Sequence, residues 1–120
     1  MTAPPSVPSR APVDVLIALR KRVPLSEAQL ARGTGAGKAT VRGWLDHQGT
    51  PGELHAQRLT ELVAFVEEMA RNLRGDTLAE SWLDGNVDFL SGVNPLDETA
   101  AGRYERMIEY ARGLSYGVFT

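Results

Sequence analysis

The sequence predicts an all-α protein. No stretch carries the period-two alternation of a strand. Apolar residues instead recur at three- and four-residue spacing, most clearly between Leu59 and Leu73, and Gly/Pro clusters cut the chain into pieces of helical length. The 120 residues, 42% hydrophobic and 23% charged, have the composition of a folded protein and suffice for one ordinary domain or two very small ones. Only about two thirds of the unfolded surface can be buried at this size, so a second copy or a partner would add useful burial.

The first dozen residues hold Pro4, Pro5, Pro8 and Pro12 among small or polar neighbours, and residues 1–12 are expected to be a flexible arm. A first helix is expected from Val13 to Arg22, stopping before Pro24. Ser26 with Gln29 three positions on forms a capping box for a second helix, which Gly33 and Gly35 should keep short. A third spans Gly37 to Asp46, and Gly49-Thr50-Pro51-Gly52 breaks the chain. The fourth and longest runs from Glu53 to Leu73 with Leu59, Leu62, Val63, Val66, Met69, Ala70 and Leu73 on one stripe. Phe65 lies just outside that stripe and widens it, either as a plain core aromatic or as contact with a second surface. The apolar face around Phe65 and Met69, with the small core, motivates an expected homodimer. After Gly75, short helices are expected over 76–83 and 87–91, then a Gly92-Val93-Asn94-Pro95 turn and one helical turn from Leu96 to Ala101. A last helix carries Tyr104, Met107, Ile108, Ala111 and Leu114 and gives way at Gly117.

Charge is unevenly spread. Residues 1–50 have a balance of +4, residues 51–75 of −1 and residues 76–120 of −5. A basic front and an acidic back suit two different partners, a polyanion at the front, unless the layout is simply solvated charge.

Several chemistries are set aside. With no Cys there is no disulfide, thiol nucleophile or Cys-ligated zinc. The string Gly33-Thr34-Gly35-Ala36-Gly37-Lys38-Ala39 fails as a phosphate loop: the first required Gly falls on Arg32, the hydroxyl after the Lys is replaced by Ala39, and a helix precedes it. His47 and His55 lack metal-pair spacing. Adjacent carboxylates such as Glu67-Glu68 and Asp97-Glu98 point apart on a helix and read as solvated. We expect no enzyme and no cofactor. Apolar runs reach only five residues against the roughly 20 that span a bilayer, and the amino terminus has no secretory pattern, so the expected setting is cytoplasmic with no membrane partner.

Glu27 to Trp44 has the spacing of a helix-turn-helix: Ala31 at the helix contact, Gly35 at the turn, Val41 in the core, with Leu30, Ala36 and Trp44 in support. The pattern Leu30-Ala31, Gly35, Thr40-Val41 and Trp44-Leu45 resembles the Xre-type regulators. The candidate DNA-binding residues are Arg32, Gly37, Lys38, Thr40 and Arg42. Lys38 and Arg42 can reach guanine edges or phosphates, and Arg20, Lys21, Arg22 and Arg32 can reach phosphates. Ala39, Gly37 and Gly43 offer a base almost nothing, and each glycine weakens the helix by roughly 1 kcal/mol. The motif therefore either contacts DNA with modest direct readout or serves only as a scaffold.

The back half adds Ala79-Glu80-Ser81-Trp82-Leu83, Gly92-Val93-Asn94-Pro95-Leu96-Asp97, the stretch from Arg103 to Ala111, and Tyr116-Gly117-Val118-Phe119. In this order, behind a helix-turn-helix, they resemble the toxin-binding domain of Xre/MbcA/ParS-type antitoxins over about residues 14–120. The family commonly has a basic residue where this chain has Asn94. The resemblance implies a helix-turn-helix domain over residues 13–74 that includes the long connecting helix, joined to a small helical toxin-binding domain over 75–120. It implies a RES-domain toxin as partner, one that depletes NAD or transfers ADP-ribose from it, and promoter DNA as the other. The toxin-binding residues would be Trp82, Asn94, Pro95, Arg103, Tyr116, Gly117, Val118, Phe119 and Thr120, the carboxy-terminal end closing the toxin's cleft. The tail's aromatics are costly to leave in water, so they either plug a partner or fold back on the chain's own core. The alternative function is a stand-alone Xre-type regulator whose back half dimerises or senses.

Overall fold

The computed structural model describes residues 11–71, 83 and 94–115. Every regular element among them is helical: α1 (Ala11–Arg20), α2 (Glu27–Thr34), α3 (Lys38–Leu45), α4 (Glu53–Met69), α5 (Pro95–Ala100) and α6 (Tyr104–Ser115).

Helix α1 starts two residues before Val13, because Pro12 in a first turn loses no hydrogen bond and has its φ set for a helix. Val13, Leu16 and Leu19 form its buried stripe. The chain then turns ahead of Pro24, and Arg20 Nε donates to the Leu25 carbonyl at 2.9 Å. The capping box at the start of α2 is formed: Gln29 N–H donates to Ser26 Oγ at 3.1 Å, and Ser26 N–H donates to Gln29 Oε1 at 2.9 Å. Gly35 ends α2 in the left-handed region at φ +80°, its N–H donating to Ala31 O, a conformation that glycine adopts without steric cost.

Gly33 does not interrupt α2 as expected; it lies inside the helix. A Cβ built there would sit 2.8 Å from Leu62 Cδ2 and 3.3 Å from Leu96 Cδ2. The missing side chain lets α2 approach α4 and α5 closely.

Helix α3 buries Val41 and Trp44 and leaves Lys38 and Arg42 outside. His47 follows it at φ +60°, and the Trp44 ring packs on His55 with centroids 5.7 Å apart, which roots α3 on the start of α4. Helix α4 ends at Met69 rather than Leu73: the Arg71 N–H reaches only three residues back, to Glu68 O, and the ladder closes there.

Phe65 and Met69 are buried inside the chain at 0% and 1% exposure, so the dimer face drawn around them does not exist. The stripe is wide because α4 is surrounded: α1, α2, α5 and α6 all pack on it. The expected turn at Leu96–Ala101 is α5, shifted one residue to start on Pro95. The short helices expected over 76–83 and 87–91 lie outside the described residues except Leu83, which is fully buried.

Leu96, Met107 and Ala111 from the back half join Leu30, Leu59 and Phe65 in one continuous core. The back half therefore rests directly on α2 as well as on α4.

Candidate functional site

Two exposed faces lie near the sequence-predicted residues that the structure describes. The first is built by α2, the turn Gly35-Ala36-Gly37 and α3. Gly37 caps α3 with its backbone, and Gly37, Lys38, Thr40 and Arg42 are all exposed there. Lys38 and Arg42 stand one helical turn apart on the exposed side of α3, clear of the buried Val41 and Trp44.

Arg42 is held by Glu27 in the first turn of α2. Its Nη2 lies 3.0 Å from Glu27 Oε1, and its Nε lies 3.2 Å from Oε1 and 3.3 Å from Oε2. The hydrogen bond from Arg42 holds the Glu27 carboxyl below its ordinary range, and the charges of Arg42, Lys38 and Arg20 add to it.

Arg32 does not share this face. Its guanidinium makes a two-pronged pair with Asp97 of α5, Nε to Oδ1 at 2.6 Å and Nη2 to Oδ2 at 2.8 Å. That bond draws Arg32 toward the back half and depresses the Asp97 carboxyl. Asp97 and Glu98 do point apart, as adjacent helical positions must, but neither is simply solvated. Glu98 is 3% exposed. Its Oε1 accepts from Arg103 Nη1 at 2.7 Å, and its Oε2 lies 3.5 Å from Arg106 Nη1. Arg103 is thus brought to the α5–α6 corner with its head half exposed.

The second face is the surface of α5 and α6. Asn94 and Pro95 are buried within the chain. Asn94 Oδ1 accepts the Leu96 N–H at 2.8 Å and its Nδ2 donates to Leu83 O at 2.8 Å, so one side chain caps α5 and ties it to the preceding segment. Both are buried, and what they do within the chain is place α5. Met107 and Ala111 face the core, while Tyr104 and Ile108 on the neighbouring stripe of α6 are half-buried. They line an open groove of about 580 Å³ with Glu105, Glu109, Arg112 and Gly113. Trp82, Tyr116, Gly117, Val118, Phe119 and Thr120 lie outside the described residues. A smaller apolar groove of about 330 Å³ runs between α1 and α4 beside Val15, which is half exposed.

Sequence reasoning missed Glu27, Asp97 and Glu98 as partners of the arginines. For Glu27 a signal existed, since the first turn of one helix and the second turn of the next adjoin across a tight turn. Among the described residues no group of three or more His, Asp or Glu could hold a metal ion. None of the described helices is long and apolar enough to cross a membrane.

The architecture is therefore an all-helical one in which a tight helical pair, α2 and α3, is braced by a long helix and roofed by two carboxy-terminal helices. It is similar to a solved chain from the M. tuberculosis MbcT–MbcA toxin–antitoxin complex, with a TM-score of 0.75 and 25% sequence identity over 88% of this chain and 95% of that chain. No family model matches the sequence, and no curated protein matches it.

Proposed function

We propose that this chain is the antitoxin of a toxin–antitoxin pair: it neutralises a RES-domain, NAD-consuming toxin by direct binding and represses its own operon through the α2–α3 face as a homodimer. The observation that carries the antitoxin role is the likeness to a chain of a toxin–antitoxin complex over nearly the whole length of both chains. The RES-type partner rests on the resemblance of the back-half motifs, from Trp82 to the Tyr116-Gly117-Val118-Phe119 ending.

The surface offered to the toxin is α6 and the segment after it. Tyr104 and Ile108 leave an apolar stripe half covered beside Glu105 and Glu109. A cleft that accepts the NAD pyrophosphate needs basic groups near its mouth, and the −5 balance of residues 76–120 would speed encounter with it. Residues 116–120 then supply the apolar plug, since buried aromatics at the centre of an interface usually dominate its energy. With Phe65 and Met69 in the interior, the apolar surface that supports a second copy is the α1–α4 groove beside Val15.

The test is co-expression with the product of the adjacent gene, followed by size-exclusion chromatography and an NAD-consumption assay. We expect one complex eluting ahead of either protein and NAD loss only from the toxin freed of this chain. Separate elution and undiminished NAD loss in the mixture would refute the reading.

A further inference from the structure

We infer that Glu27 is a positioning residue that aims Arg42 end-on at a guanine in the major groove, which makes Arg42 the base-reading side chain of α3. The inference rests on the DNA-binding reading above and adds to it the base that is read and the residue that makes the reading selective.

A guanidinium presents five N–H groups in a rigid fork, one on Nε and two on each Nη. Glu27 engages the side edge, through Nε and Nη2. The end edge, formed by Nη1 and the outward hydrogen of Nη2, is left for another ligand. Two parallel donors at that edge match O6 and N7 of guanine, the acceptor pair that guanine alone presents in the major groove. The arginine side chain is 60% exposed and the glutamate 30%, so the carboxylate along one edge leaves much of the arginine open. Arg42 also stands outward on α3, a helical turn beyond Lys38, while Val41 and Trp44 are buried.

Stability does not account for the pair. Exposed ion pairs of this kind contribute little. General affinity for DNA does not account for it either. The first turn of α2 is a helix amino terminus, where a phosphate would be welcome, and a carboxylate there repels one. Glu27 therefore lowers attraction to any phosphate backbone while fixing the orientation of one side chain. A loose arginine can drop onto the nearest phosphate; one gripped along its side edge has that alternative removed. The Glu27 carboxyl, held below its ordinary range by that same hydrogen bond, stays charged at neutral pH.

The experiment measures binding by fluorescence anisotropy to a duplex from upstream of the chain's own gene and to a shuffled duplex of equal composition. Each guanine is replaced in turn by 7-deazaguanine, which lacks the N7 acceptor. The proteins are the full chain, Glu27→Gln, Arg42→Ala and the double variant, each alone and co-purified with the adjacent gene's product, with circular dichroism confirming the fold.

We expect one guanine per half-site at which 7-deaza substitution weakens binding about ten-fold, an effect absent in Arg42→Ala. Glu27→Gln should lose most of that sensitivity and bind the shuffled duplex as tightly as the unmodified chain or more tightly. The double variant should discriminate no worse than Arg42→Ala. If Glu27→Gln keeps the full sensitivity while Arg42→Ala loses it, Arg42 reads the base unaided and the positioning role is overturned. If promoter preference survives Arg42→Ala with the sensitivity intact, another residue does the reading and the inference falls while the DNA-binding function stands. If none of the proteins prefers the promoter duplex, the DNA-binding function itself falls and takes the inference with it.

Discussion

Replacing Gly33 with Ala and Gly43 with Ala should change stability in opposite directions, although both glycines sit inside helices. Helix propensity alone favours Ala at each site by about 1 kcal/mol. At Gly43 nothing lies within 4 Å of the added methyl, so that gain should be realised. At Gly33 the methyl would lie 2.8 Å from Leu62 Cδ2 and 3.3 Å from both Leu62 Cδ1 and Leu96 Cδ2. Leu62 and Leu96 are both fully buried, so neither can swing into solvent. Forcing a methyl into such a packed site costs roughly 1–3 kcal/mol, and taking about 2 against a propensity gain of about 1 leaves a net loss near 1 kcal/mol. The two variants should differ by about 2 kcal/mol, or roughly 8 °C in Tm for a domain of this size. Urea and thermal unfolding followed by circular dichroism at 222 nm, the usual helix band on the order of where α-helical signal is read, measure both. If Gly33→Ala is stabilised as much as Gly43→Ala, α2 does not approach α4 and α5 as closely as described.

Asn94→Ala should lose about 2 to 3 kcal/mol, combining the cap on α5 with an interior Leu83 carbonyl left unbonded; denaturant titration checks it. Asp97→Asn should cost at most about 1 kcal/mol at neutral pH, because the Arg32–Asp97 pair is half exposed. Because Arg32 depresses the Asp97 carboxyl in the folded state, the stabilisation is complete above the unfolded value of about 3.9 and fades as pH falls through the folded one. Stability curves of the two proteins, separated at neutral pH, should therefore converge as pH falls through the folded value; curves that stay parallel would deny the pair. Phe119→Ala, or deletion from Gly117 onward, should weaken toxin binding by about 2 kcal/mol or more with the helical spectrum unchanged, and a growth-rescue assay reads this directly. A tail-deleted protein that still protects cells would move the contact to the Tyr104–Ile108 stripe of α6.

The features legible in the sequence are those set by local chemistry. The Ser26–Gln29 capping box, the Gly35 turn and the break before Glu53 each follow from a few neighbouring residues, and each stands where expected. The width of the α4 stripe was legible too, but not its meaning: Phe65 could face a second copy or this chain's own core, and only the packing of α5 and α6 decides for the core. Gly33 was misread for a related reason. Its propensity is a property of one residue, whereas its use depends on Leu62 and Leu96, 29 and 63 positions further along. The basic face was only half legible. Arg32 and Arg42 look equivalent as charges, yet the Asp97 partner 65 positions away turns Arg32 toward α5, while Glu27 keeps Arg42 at the α2–α3 face.

Helix α2 is engaged by three other helices. One flank meets α3, another meets α4, and a third, through Gly33 and Arg32, meets α5. The front half is thus a poor candidate for grafting. Cut away at residue 74, it would leave Gly33 facing the space vacated by Leu96 and would strip Arg32 of Asp97. A chimera with a different front half would need a glycine-like gap and an arginine at the matching positions. The placement of the front half is therefore tied to the roof above it, and a change at Gly33 or Arg32 bears on α5 as much as on α2.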